Sequence, residues 1–317
     1  MIETVAAVNL MVEEVMKIKK NRLMPDFPTG NEKRIAVVTG IFGDELQGQY
    51  VCYELIRRIK EDFASLTGIV DIYPALNPLG MEARTREIPG PELEMNGLFP
   101  GSHSGVMGEY AAYCVFEDLR GADFCLDVHG SNMFLHEILQ IRMNDDRVEE
   151  LLPYARALNT DMIWIHPSNQ VKRGSLAYEL NQIGVKCFVT ESSFAYKINQ
   201  NYGNQLVDGI FALMKELGIW QGHAIVPREP LITNDAEMTY INSESSGIFI
   251  PDVEVSSFVR AGSRIGTVVD VITGSVEEVV TAPRDGVISA MREYPAIEEG
   301  SLLARIVGAS QEGCGHD

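Results

Sequence analysis

Residues 122–132 read ADFCLDVHGSN, an apolar run that ends in an acid, a histidine and a Gly-Ser-Asn turn. A short apolar run bounded by turn residues is the pattern of a strand buried on both faces, as in a sheet covered by helices. Runs of the same kind stand at 34–39 (RIAVVT), 68–75 (GIVDIYPA), 138–143 (ILQIRM), 162–166 (MIWIH) and 185–190 (VKCFVT). Between them, residues 45–63, 106–119, 147–158, 175–183 and 204–217 carry helical periodicity. The alternation predicts an α/β fold whose mixed, largely parallel sheet is flanked by helices. Ligands of such sheets bind outside the carboxyl ends of the strands. Three strand ends run into Gly- or Ser-rich loops bearing an acid or a His: GIFGDE (40–45), DVHGSN (127–132) and TESSF (190–194).

After about residue 225 the pattern changes to short strands punctuated by Gly and Pro, predicting a domain over 1–225 and a small β-sandwich module with its tail over 226–317. Segments 245–270 and 279–307 look like an imperfect internal duplication, each with a Gly before an alternating strand and a late Gly before the last one. The module resembles the biotinyl/lipoyl-like module. Met291-Arg292 stands where a modified Lys would be expected, so no biotin or lipoyl attachment is predicted.

With 317 residues the chain has room for about two domains. Its 45% apolar and 22% charged content suits a folded core. The 26 Lys and Arg against 45 Asp and Glu give a net charge of −19, which disfavours nucleic acid and anionic membrane surfaces. The only cationic run is 17–22. Five cysteines without a CxxC pair read as reduced thiols, and the acid-bearing N-terminus is unlike a signal peptide, so the expected location is cytoplasmic. Composition leaves a homo-oligomer open.

At one sheet edge, His129, Glu45 and Glu191 would make a metal-hydrolase kit, since Zn²⁺ takes imidazole and carboxylate donors and a further carboxylate can take a proton from water. The bland reading makes His129 and Glu45 loop-capping polar groups. In order, GIFGDE, Asn77-Pro78, Arg86, N-x-x-FPG at 96–101, LDVHG at 126–130, GSL at 174–176 and TES at 190–192 resemble the succinylglutamate desuccinylase/aspartoacylase family, within the zinc carboxypeptidase-like folds. The resemblance runs from about residue 34 to 307. It implies one zinc per chain on Glu45 and His129, Asp127 orienting that His, Glu191 as general base, and Arg86 assisting the carbonyl oxygen of the scissile amide.

Two departures stand out. Phe42 occupies the position of a zinc-binding His, leaving two protein ligands; His136, His103 and Asp44 are the candidate replacements. Asn96 matches the first residue of a substrate-binding Asn-Arg pair, but Gly97 replaces the Arg. The ligand is then less acidic, or Arg84, Lys172 or Arg173 supplies the charge. Ser192 and Ser193 read as loop hydroxyls, and Trp164 and Tyr178 as core. The expected function is hydrolysis of an amide bond in a small N-acylated amino acid or related amine. The alternative is a catalytically impaired relative that binds a small molecule or regulates.

Overall fold

The computed structural model describes residues 1–90, 92–168 and 173–308; Lys172 and Cys314 lie outside them. Its first part comprises β1 (Ile2–Asn9), β2 (Val15–Leu23), β3 (Arg34–Thr39), α1 (Gln47–Glu61), β4 (Ile69–Tyr73), α2 (Pro78–Ala83), α3 (Met107–Leu119), β5 (Phe124–Gly130), β6 (Leu135–Asn144), α4 (Val148–Ala155), β7 (Met162–His166), α5 (Leu176–Gln182), β8 (Lys186–Ser193) and α6 (Gln200–Glu216). Short strands follow: β9 (Leu231–Asn234), β10 (Met238–Asn242), β11 (Gly247–Pro251), β12 (Phe258–Val259), β13 (Arg264–Val269), β14 (Val276–Thr281), β15 (Gly286–Arg292), β16 (Ala296–Ile297) and β17 (Leu302–Val307).

One sheet runs in the order β1-β2-β4-β3-β5-β8-β6-β15-β17-β10, with β7 and β9 branching from β6 and β12 from β15. The two faces of its centre are covered separately. On one, Val51, Leu55 and Ile59 of α1 recur at helical spacing and join α6 over Ile35, Val37 and Leu126. On the other, α3 and α5 cover Ala36, Val38 and Cys125. β5 is buried at every position, as a strand between two helical layers must be.

The sheet is mixed, but the expectation that it is largely parallel holds only for two blocks. β4-β3-β5-β8 pair in parallel, as do β6-β7-β9. The N-terminal hairpin, β6 against β8, and the C-terminal strands are antiparallel. In the N-terminal hairpin, β1 and β2 are joined by residues 10–14, too few for the crossover a parallel pair requires. The hairpin also changes the meaning of the cationic run: Lys20 is 2% exposed and paired to Asp118 at 2.7 Å, while Arg22 and Arg34 both bond Asp71 at 2.7 Å.

Past residue 225 the chain rejoins the same sheet, because β15 pairs with β6 through Met291 opposite His136. A second sheet, β14-β13-β11-β16, is built from the other strands of this region. Phe249, Ile265 and Val268 of that sheet share a core with Ile288, Leu303 and Ile306 of the first. The two similar segments each form an antiparallel pair, β11 with β13 and β15 with β17, one in each sheet. Cys52, Cys114, Cys125 and Cys187 are free thiols. Among the described residues, no helix is long and apolar enough to cross a membrane.

Candidate active site at the sheet edge

Strand register brings the three strand ends together. Thr39 at the end of β3 lies beside Val128, and His129 lies beside Glu191 on the parallel neighbour β8. The loop after β3 folds back tightly: Gly40 has φ +66°, a left-handed value costly for a side chain, and a Cβ on Gly43 would fall 2.1 Å from the Gly80 carbonyl carbon. Asn77 fastens this arrangement, donating its N–H to the Gly40 carbonyl at 2.7 Å and capping α2 by accepting from Gly80 N–H at 2.9 Å. The tight loop turns Glu45 in toward β5.

Glu45 is 5% exposed, and both of its oxygens are engaged. Oε2 accepts from Gly130 N–H at 3.1 Å and lies 3.0 Å from His129 Nδ1; Oε1 accepts from Arg86 Nη1 at 3.0 Å. His129 Nε2 stands 3.0 Å from Asp127 Oδ1, so the imidazole is held between two carboxylates. Burial alone would lower the His129 pKa, but Asp127 and Glu45 hold it well above its ordinary value. Burial raises the Glu45 carboxyl above its ordinary range, against the pull of His129 and Arg86. Arg86 also donates through Nε to Glu94 at 3.0 Å, and its Cζ lies 3.4 Å from the centroid of the Phe42 ring. That ring in turn packs on His129 at 5.3 Å between centroids.

A catalytic zinc needs three protein donors and an open position. Glu45 and His129 supply two, and the third side is a phenyl ring with no lone pair to give. The Glu45 oxygen not facing His129 is already held by a guanidinium. His103 packs edge-on against Tyr110 and Tyr113 of α3. His136 lines a separate cavity of about 320 Å³ with Ser193, Lys197 and Glu293, its ring against Tyr202. Asp44 is buried beside Glu45 with Oδ1 unpartnered, pushed up by burial and pulled down by Arg86. Among the described residues, no group of three His, Cys, Asp or Glu side chains is placed to hold a metal. The donor set does not fit a resident catalytic zinc.

Glu191 belongs to a second cluster that the sequence reading missed. Arg142 Nη2 bonds Glu191 Oε2 at 2.5 Å and Glu137 Oε1 at 3.2 Å. Glu137, 2% exposed, also accepts from Ser131 Oγ at 2.7 Å and pairs with Arg305 of β17. Burial raises the Glu191 pKa to about 7 in spite of Arg142. Trp164, read as core, is buried but polar in its contacts: Nε1 donates to Asp235 at 2.8 Å, and the Arg142 and Arg305 guanidinium carbons each lie 5.2 Å from its ring centroid. Tyr178, also read as core, lines a cavity of about 310 Å³ with Arg142, His166 and Val189. The signal was available in 138–143, where Gln140 and Arg142 interrupt an otherwise apolar strand.

The substrate-side residues are differently employed. Asn96 Oδ1 accepts from Leu176 N–H at 2.9 Å and so holds the start of α5. Arg84 and Arg173 are exposed, Arg84 ending α2 in a left-handed conformation.

The sequence profile of the succinylglutamate desuccinylase/aspartoacylase catalytic domain matches residues 31–217. No curated protein matches the chain. Among solved structures, the product-bound ectoine utilization protein EutE (DoeB) from Ruegeria pomeroyi is similar, with TM-score 0.79 and 20% identity over 96% of this chain and 93% of that one. A succinylglutamate desuccinylase/aspartoacylase from Rhodobacter sphaeroides gives the same TM-score and identity over 98% and 96%. An aspartoacylase family protein from Mesorhizobium loti gives TM-score 0.75 and 21% identity over 98% and 96%. The profile match spans the edge residues Glu45, Arg86, His129 and Glu191, and the chain belongs to the succinylglutamate desuccinylase/aspartoacylase family, which is one of deacylase-type hydrolases.

Proposed function

We propose that the chain hydrolyses the amide bond of a small N-acylated amino acid or related amine, with Glu191 as its base. The observation that carries this reading is the position of Glu191: in register beside His129, at the carboxyl end of a central strand, with a pKa of about 7 that suits proton transfer near neutrality. Water attacks the acyl carbon as Glu191 takes its proton, and the same proton passes to the departing nitrogen. The acyl oxygen faces the positive charge of the edge, which stabilises the oxyanion as it develops. Arg142 fixes the Glu191 carboxylate and limits its rotation.

A second reading, binding without turnover, is favoured by one observation: Asn96 is occupied with Leu176 and Gly97 offers no fork for a ligand carboxylate. Amine release from a panel of N-acylated amino acids and amines, measured beside calorimetric binding, separates the two. Release by the wild type that disappears in Glu191→Gln with binding intact is the expected result. Binding without release from any member of the panel would establish the second reading.

A further inference from the structure

We infer that Arg86 is the resident cation of this edge, carrying on a side chain the positive charge that a three-donor site would place on a metal. The inference rests on the hydrolase reading only for what the cation acts upon. The geometry begins with Phe42. An imidazole there would be a third donor; the phenyl ring removes the donor and at the same time offers an electron-rich face. The Arg86 guanidinium uses that face, with Cζ 3.4 Å from the ring centroid, and reaches Glu45 Oε1 from it at 3.0 Å. One difference at position 42 therefore does two things that belong together. It weakens a metal site and builds the platform for the cation that satisfies the orphaned carboxylate.

The rest of Arg86 is fixed to suit. Its Nε donates to Glu94 at 3.0 Å, and its carbonyl accepts from Gly43 N–H and Asn77 Nδ2, each at 3.4 Å. Glu45 Oε2 already receives Gly130 N–H beside His129, and Oε1 receives Arg86, so a metal that joined this carboxylate would sit beside the guanidinium. A divalent cation entering here would meet the guanidinium at contact distance, and the repulsion would be weakly screened in a buried site.

The test is a zinc titration against a competing chelator, with elemental analysis of the desalted protein, on the full chain and on Phe42→His, Arg86→Gln and the double variant. The wild type should hold no stoichiometric zinc. Each single variant should gain little, Phe42→His because Arg86 still sits on Glu45 and Arg86→Gln because a donor is still missing. The double variant should gain on the order of a hundredfold or more, beyond the product of the single gains. A tightly held zinc in every wild-type chain overturns the inference, as does a double variant that binds no better than Phe42→His. The wild-type titration decides even where a variant fails to fold. Neither readout depends on turnover of an N-acylated amine, so failure of the substrate reading would be seen separately.

Discussion

Two buried charge clusters share the sheet, and they are built in opposite ways. The one around Glu45 draws its cation from a loop, and the Arg86 side chain is 33% exposed. The one around Glu137 is assembled from the interiors of β6, β8 and β17, with Glu137 itself 2% exposed between two guanidiniums and a hydroxyl. Charges on strands are placed by sheet register, whereas the loop guanidinium is placed by the fold of its loop and by the ring it stacks on; the two cations are similarly exposed, 33% for Arg86 and 28% for Arg142. The strand-borne cluster carries the candidate base, and the loop-borne one carries the charge that, on the proposed reading, would meet the ligand's acyl oxygen. On the proposed reading, a base on strands and an electrophile on a loop would let a ligand meet Arg86 without disturbing Glu191.

The largest effect should come from breaking the strand-borne cluster. Glu137→Gln removes the carboxylate shared by Arg142 and Arg305, leaving Arg142 to Glu191 and Arg305 short of that partner in a largely buried site, which should cost about 3 kcal/mol. The urea midpoint checks it, and a loss no larger than that of a surface substitution would mean that the cluster does not hold the sheet together there. The next effect is one of pH. Burial raises the Glu191 carboxyl from 4.5 to about 7, so its contribution to folding is complete below about pH 4.5 and fades as pH rises through about 7. Glu191→Gln should flatten the stability profile over that window and leave the variant relatively more stable above it. Denaturation midpoints across the window measure this, and parallel profiles would show that Glu191 titrates as an ordinary carboxyl.

The two clusters also divide what the sequence makes legible. The strands at 34–39 and 162–166 are read to the residue because a strand buried on both faces leaves an unbroken apolar run. Glu45, His129 and Glu191 are legible because each follows such a run, and a sheet gathers its strand ends. The Glu137 cluster is not, because it depends on which strands become neighbours: Arg305 lies 168 positions from Glu137 and reaches it only when β15 and β17 extend the sheet past β6. The hairpin of β1 and β2 escapes for another reason. Its alternation is carried partly by Lys20, which reads as exposed until Asp118 and Asp71 are in place. Phe42 could be read as a missing donor, but its role as a platform needs the fold of the loop that brings Arg86 over it.

The smallest effect is the one that separates a platform from a plug. Phe42 is 6% exposed, so deleting its side chain would open a cavity and confuse packing with charge. Phe42→Leu keeps most of the volume and the apolar character but removes the ring face. If the ring only fills space, the change should cost little and leave Arg86 on Glu45. If the ring holds the guanidinium, the loss should be about 1 kcal/mol, the size of a partly desolvated cation–π contact. It should also vanish when the same change is made in Arg86→Gln, since there is then no guanidinium to hold. That non-additivity, read from denaturation midpoints of the wild type, the two single variants and the double, isolates the contact from the packing around it. Additive losses would make Phe42 an ordinary core residue and leave Arg86 held by Glu45 and Glu94 alone.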